Sequence, residues 1–174
     1  MIKNVLVATD GSDSAAKAVD LAAEIASKFG AELTIVHVLV HGHRTEEMTR
    51  MAEAEHIVKQ AGPVLPNITG ITGATGDLFR VERQSGETDH IVAAIGEIIV
   101  QRAVKRAREV GAKSATGKTV IGDYAESILK AAEDTGADMI VLGSRGLGGV
   151  KELLLGSVSH KVTQRADCSV ITVR

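Results

Sequence analysis

Short, fully apolar runs alternate with helical patterns along this chain, and this alternation constrains the fold more than any other feature. Ile2–Thr9 and Leu33–Val40 are rich in β-branched residues, which favours strands covered on both faces. Between them, Asp13–Phe29 has apolar residues at helical spacing and is followed by Gly30, as expected of an amphipathic helix and its C-cap. A strand, a helix and a strand joined by such short turns predict a βαβ unit, in which the two strands are parallel.

The C-terminal half repeats the alternation. A helix is predicted to begin at Asp123, with Glu126 in a capping-box position, and to end at Gly136. Another helical segment runs from Gly156 through Ala166. Three further strands are predicted at Lys118–Ile121, Asp138–Leu142 and Ser169–Val173. The five strands predict an α/β fold, a single domain over residues 1–174 built on a doubly wound parallel sheet.

The middle of the chain is less regular. Thr45–Ala61 and His90–Val110 have the apolar spacing of helices. Gly62–Thr88 has no clear periodicity and contains both prolines of the chain. Such a long irregular stretch is uncommon inside a compact domain. A lid, a flexible insertion or a partial hairpin around Leu78–Glu82 are all compatible with the pattern.

A glycine-spaced segment after the fourth predicted strand is the best candidate for a binding site. Gly143-Ser144-Arg145-Gly146 follows that strand, and Gly156-Ser157 comes nine residues later at the start of a helical segment. Glycines let backbone N–H groups approach a phosphate closely, and a helix N-terminus adds aligned donors and partial positive charge. Ligands of open α/β sheets bind at the carboxyl ends of the strands, where this segment lies. We therefore predict a phosphate site, with hydroxyl donors at Ser157 and Ser159 and a cation at Arg145 or Lys151.

Two common nucleotide motifs are absent. The sequence contains no GxxxxGK[ST] loop, and the first strand is followed by Asp10-Gly11-Ser12 rather than GxGxxG. A P-loop and a dinucleotide fingerprint are therefore disfavoured.

These residues resemble a known family. The pattern Gly143-x2-Gly146-x9-Gly156-Ser157 is similar to the nucleotide-binding motif of universal stress proteins, in their ATP-binding branch. Val5–Ser12, Ala31–Val38 and Cys168–Val173 resemble the first, second and last strands of that family. The resemblance implies a sheet of order 3-2-1-4-5 and a homodimer paired through the last strand. Region 41–89 is longer than the usual connection, so it is expected to be an insertion.

The resemblance also assigns residues to an adenine nucleotide. Ala8 and Thr9 would line the base, and Val38 would offer backbone groups to the adenine edge. Asp10 would hold the ribose or a divalent ion bound with the nucleotide, Mg²⁺ or Mn²⁺. The phosphates of ATP, ADP or AMP would be taken by Gly143, Arg145, Gly146, Gly156, Ser157, Val158 and Ser159.

The resemblance implies a nucleotide-responsive stress regulator. A slow ATPase or autophosphorylating enzyme of the same fold is the main alternative, although no general base stands beside a phosphate-positioning lysine. A flavin-binding fragment related to electron-transfer flavoproteins is a further alternative, disfavoured by the short chain and by Asp10. His37, His41 and His43 are spaced closely enough to suggest a metal site, but the sequence fixes no carboxylate partner.

Composition limits the other classes. The net charge is −2 and only 2% of residues are aromatic, which argues against nucleic acid as a partner. A base would therefore lie among aliphatic side chains. The single cysteine excludes an internal disulfide. The sequence lacks a leader-like start and any run of about 18 apolar residues. The expected location is the cytoplasm.

Overall fold

The structure is a computed structural model that describes residues 1–39, 85–147 and 155–174, with only the backbone course for 85–92. Within these residues the strands are β1 (Asn4–Ala8), β2 (Glu32–Leu39), β3 (Ala115–Ile121), β4 (Met139–Gly143) and β5 (Ser169–Val173). The helices are α1 (Asp13–Phe29), α2 (Ser85–Val110), α3 (Tyr124–Thr135) and α4 (Ser157–Arg165). The strands form one parallel sheet of order β3-β2-β1-β4-β5, so the predicted α/β class and strand order are confirmed.

The helix ends follow directly from capping residues. Ser12 is the N-cap of α1, and its hydroxyl accepts a hydrogen bond from the N–H of Ala15 at 3.3 Å. Gly30 ends α1 with a left-handed φ of 66°. Asp123 caps α3 by accepting from the N–H groups of Ala125 and Glu126. The predicted ends of both helices are confirmed.

Two apolar cores cover the two faces of the sheet. On β1, Val5 and Val7 pack with the small residues of α1, and Leu6 points into the opposite core with Ile128 and Val162 of α3 and α4. Because both faces of the strand are buried, its sequence is apolar at consecutive positions. This explains why the sequence pattern identified β1 and β2 so clearly.

Two predicted boundaries were wrong by three residues or more. β3 begins at Ala115, three residues before Lys118, and its Gly117 pairs with Ile35 of β2. A Cβ on Gly117 would lie 2.3 Å from Val100 Cγ1, so this glycine allows α2 to pack closely on the strand. The helix predicted from His90 begins at Ser85, inside the stretch predicted to be irregular. The predicted helix at Thr45–Ala61, and most of the predicted insertion, lie outside the described residues.

The strand order fixes where a ligand can bind. β1 and β4 are neighbours in the centre of the sheet. The chain passes from β1 to β2 on one side and from β4 to β5 on the other. The carboxyl ends of β1 and β4 therefore flank a topological switch point. The segments after β1 and after β4 meet at this position.

Candidate functional site

The carboxylate of Asp10 joins the two segments at the switch point. Its Oδ1 accepts a hydrogen bond from the N–H of Ser12 at 3.0 Å, within the turn after β1. Its Oδ2 accepts from the N–H of Leu147 at 3.0 Å, in the segment after β4. The side chain of Leu147 also packs on the cluster of Leu39 and Ile99. Asp10 is therefore fixed by backbone donors from two parts of the chain.

Glycines in the segment after β4 make this close approach possible. A Cβ on Gly146 would lie 2.5 Å from Asp10 Oδ2, and a Cβ on Gly143 would lie 2.7 Å from Ser14 Oγ. Neither glycine is among those with positive φ. They are needed for space rather than for backbone conformation. The hydroxyl of Ser14 donates to the carbonyl of Arg145, which forms a second link between the segments.

The start of α4 is attached to the same segment through Ser144. The buried Ser144 carbonyl accepts from the N–H of Gly156 at 2.7 Å and from the hydroxyl of Ser159 at 3.0 Å. The N–H of Ser144 donates to the carbonyl of Val173 at the end of β5. The N-terminus of α4 is thus held beside the segment after β4, with Gly156 as its N-cap.

The serines of α4 have different surroundings. Ser159 is buried, and its hydroxyl lies within hydrogen-bonding distance of the carbonyls of Ser144 and Gly156. A hydroxyl carries one proton, so in this structure that proton is directed into the protein and Ser159 stabilises the junction. Ser157 is exposed at the first helical position, and Val158 follows it half-buried. The N–H groups of the first turn lack intrahelical acceptors, as at any helix N-terminus.

The residues predicted to line a base lie at the ends of β1 and β2. Ala8 ends β1 and packs at the edge of the core that contains Val38. The N–H of Thr9 donates to the carbonyl of Val36 at 2.9 Å, which continues the strand pairing beyond β1. The hydroxyl of Thr9 accepts from the N–H of Gly11 at 3.3 Å, and Gly11 has a left-handed φ of 83°. The side chains of Ala8 and Val38 at this end are aliphatic.

The charged and titratable residues singled out from the sequence differ in their surroundings. Arg145 is exposed, and Lys151 lies outside the described residues. His37 is buried, and burial lowers the pKa of its imidazole, opposed by its hydrogen bond to the Thr9 carbonyl and by the Asp10 carboxylate. Among described residues, no group of three His, Cys, Asp or Glu side chains could hold a metal ion. His41 and His43 lie outside them.

None of the described helices is both long and apolar enough to span a bilayer.

The glycines and Asp10 were predicted from the sequence as site residues, whereas the residues that support them were not. These supporting residues act through backbone atoms or through contacts between distant segments, and no local spacing reveals such contacts. They are Leu147, Ser14, Ser144 and His37. The short interval between Asp10 and Ser14 is the only available hint, because it places four small polar residues after a buried strand.

Comparisons with known proteins agree with this fold. The model of the universal stress protein family matches residues 1–174. Universal stress protein YxiE of Bacillus subtilis is 36% identical over 174 residues, covering 100% of both chains. Universal stress protein Rv1636 of Mycobacterium tuberculosis is 31% identical, covering 98% of this chain and 95% of its own. A universal stress protein solved in complex with cAMP has a TM-score of 0.61 and 25% identity, covering 99% of this chain and 97% of that one.

The chain therefore belongs to the universal stress protein family. The predicted family resemblance is confirmed.

Proposed function

We propose that this protein binds ATP, or a closely related adenine nucleotide, at the switch point and acts as a cytoplasmic regulator of a stress response. The segments after β1 and β4 and the N-terminus of α4 together form the proposed site. The cAMP complex of a solved relative supports an adenine nucleotide as the ligand class. ATP in particular rests on the glycine spacing and on Arg145.

The observation on which the proposal mainly rests is the geometry around Asp10. Its carboxylate is fixed by two N–H groups from different segments, and Gly146 leaves no side chain between them. Each carboxylate oxygen accepts one of these bonds, and an ionised carboxylate has about four acceptor positions. Lone pairs therefore remain for a ribose hydroxyl. A preorganised acceptor beside glycine-rich backbone suits a nucleoside phosphate.

A divalent ion would fit only in company with the nucleotide. Within the described residues, Asp10 supplies a carboxylate at the switch point, and Mg²⁺ is commonly held by one or two carboxylates together with phosphate oxygens and waters. In this proposal Asp10 holds Mg²⁺ or Mn²⁺ through the bound nucleotide or its waters. The phosphates lie against Gly143, Gly146, Gly156, Ser157 and Val158, with Ser159 supporting the loop from below.

We propose further that the protein is a homodimer paired through β5. This strand lies at an edge of the sheet, and its apolar residues Val170, Ile171 and Val173 are only partly buried. An unpaired strand edge with apolar side chains is a natural template for pairing with a second chain. Light scattering of a Val170→Lys and Ile171→Lys double variant tests this, with a monomer expected.

The nucleotide test begins with the protein as purified. Denaturation followed by mass spectrometry of the released small molecules should identify the bound nucleotide, and calorimetry with ATP, ADP, AMP and cAMP should rank their affinities. Gly146→Val is expected to abolish binding because its side chain displaces Asp10 from Leu147. Gly30→Ala is the control, since it strains the far end of α1 without touching the site.

Two results would contradict the proposal. One is wild-type protein with no measurable affinity for any of the four nucleotides. The other is a Gly146→Val variant that folds and binds as tightly as the wild type. Phosphate release in Mg²⁺ or Mn²⁺ separates a regulator from a slow ATPase, because the regulator retains ATP intact.

A further inference from the structure

His37 is a buried polar side chain that the proposed nucleotide contacts do not use. It is 1% exposed and lies near the end of β2, on the face covered by α2. Its neighbours on that face, Ile35 and Leu39, are apolar core residues. An imidazole at such a position needs an explanation, because a leucine would fill a buried apolar site at no desolvation cost.

One ring nitrogen of His37 holds the peptide that leads into Asp10. Nδ1 lies 2.8 Å from the carbonyl oxygen of Thr9. A carbonyl can only accept, so Nδ1 carries the proton and donates it. The N–H of Thr9 donates to Val36. Both backbone polar groups of Thr9 are therefore held by adjacent residues of β2, beyond the last residue of β1.

The orientation of this peptide determines where Asp10 leaves the strand. The carbonyl of Thr9 lies in the same planar unit as the N–H of Asp10, so fixing one fixes the other. One residue further on, the Asp10 carboxylate must reach Ser12 and Leu147 at 3.0 Å each. A rotation of the Thr9–Asp10 peptide would move both carboxylate oxygens away from their donors.

No residue in the described part of the chain partners the second ring nitrogen. Nε2 of His37 and Oγ1 of Thr119, which stands opposite it on β3, are both buried without a hydrogen-bond partner among the described residues. Gly96 of α2 covers the ring, and a Cβ there would lie 3.0 Å from His37 Cδ2. Among the described residues, the hydrogen bond from Nδ1 is thus the one polar interaction that accounts for an imidazole at position 37.

We propose that His37 is a positioning residue for Asp10. Through its hydrogen bond to the Thr9 carbonyl, His37 sets the nucleotide affinity of the site without touching the nucleotide. This inference rests on the proposed function for its effect on affinity. The effect of His37 on the position of Asp10 does not depend on the proposed function, and this effect can be measured in nucleotide-free protein.

Three substitutions separate positioning from packing. His37→Asn places an amide donor near the Nδ1 position, His37→Gln places one near the Nε2 position, and His37→Leu has no donor. Thr119→Val is the matched control, because it changes the other unpartnered polar group of the same buried region. Each variant is titrated with Mg-ATP by calorimetry, and the amide chemical shifts of Ser12 and Leu147 are recorded without nucleotide.

We expect His37→Asn and Thr119→Val to bind Mg-ATP with affinities close to that of the wild type. His37→Leu and His37→Gln should lose roughly tenfold, the equivalent of about one hydrogen bond. The Leu147 and Ser12 amide shifts should move in these two variants and stay in place in the other two. If His37→Leu does not fold, the comparison of Asn with Gln makes the same test.

Two outcomes would overturn the inference. The first is an unchanged Leu147 amide shift in His37→Leu or His37→Gln. The second is an equal loss of affinity in His37→Asn and His37→Gln, which would assign the imidazole to packing alone. If the wild type binds no nucleotide, the proposed function fails while the amide shifts still decide the role of His37.

Discussion

The hydrogen bond between the Leu147 N–H and Asp10 Oδ2 can be broken from either side without changing its surroundings much. Asp10→Asn keeps an oxygen for Ser12 and replaces Oδ2 with an amide group that cannot accept. Gly146→Ala keeps the carboxylate but places a methyl group only 2.5 Å from Oδ2, so the oxygen must move away from its donor. Because Gly146 does not have positive φ, the alanine adds no backbone strain. Both substitutions should therefore remove the same bond of 3.0 Å.

The size of the effect follows from the charge and exposure of the acceptor. Hydrogen bonds to charged groups contribute about 1.5–3 kcal/mol, and this one is only partly buried, which favours the lower value. Each single variant should lower the free energy of unfolding by about 1.5 kcal/mol. Since the second substitution has no bond left to break, the double variant should also lose about 1.5 kcal/mol rather than about 3.

The wild type, the two single variants and the double variant form a double-mutant cycle. Equilibrium unfolding in urea measures it, with every protein nucleotide-free and at the same concentration. Asp13→Asn is the matched control, because it removes one negative charge from the exposed start of α1 while leaving Asp10 in place. Losses that add fully in the double variant would refute the reasoning, because two independent effects would then be at work. A control variant as unstable as Asp10→Asn would refute it as well.

Three further predictions concern the scaffold. Gly117→Ala should lower the free energy of unfolding by about 1–3 kcal/mol through overpacking, since its Cβ would meet Val100 at 2.3 Å and Val104 at 2.8 Å. The control Thr116→Ala, on the other face of β3, should change the free energy of unfolding in urea little. Asp123→Ala should cost about 1 kcal/mol of stability at the N-cap of α3 with unchanged affinity for Mg-ATP in calorimetry, and a loss of affinity would show that α3 contributes to the site. The folded pKa of His37 is lowered, so the unfolded chain binds more protons and stability should fall as pH drops below the unfolded value of about 6.5. His37→Leu should remove that part of the pH dependence, and an NMR titration of the imidazole showing a pKa above the unfolded value would contradict the assignment.

The sequence was informative wherever a local pattern reflects burial or capping. β1 is buried on both faces and therefore reads as a continuous apolar run, while Ser12 and Gly30 mark the ends of α1 through side-chain and backbone chemistry of their own. The start of β3 was missed because Gly117 resembles a turn residue. In the folded chain Gly117 pairs with Ile35 of β2, and its lack of a side chain leaves room for Val100 and Val104 of a helix distant in sequence.

In the candidate site, too, residue types were predictable from the sequence and contacts between distant segments were not. The glycines were predicted because their spacing after a buried strand suggests a phosphate site, and Asp10 was predicted because the family resemblance assigns it to the ribose or to an ion bound with the nucleotide. The contacts that fix them join residues far apart in the chain, such as Asp10 with Leu147 and Thr9 with His37. Ser159 illustrates the difference, since a hydroxyl predicted to face the ligand is directed toward the Ser144 carbonyl once the chain has folded.

The central claim is that an adenine nucleotide binds where the segments after β1 and β4 meet the start of α4. Titration of isotope-labelled protein with Mg-ATP, followed through backbone amide shifts, tests it most directly. We expect saturable shifts at Asp10, Leu147 and Val158, with much smaller changes at the opposite end of the sheet around Gly30. Saturable binding with the largest shifts elsewhere, or no shift at these three amides, would contradict the claim.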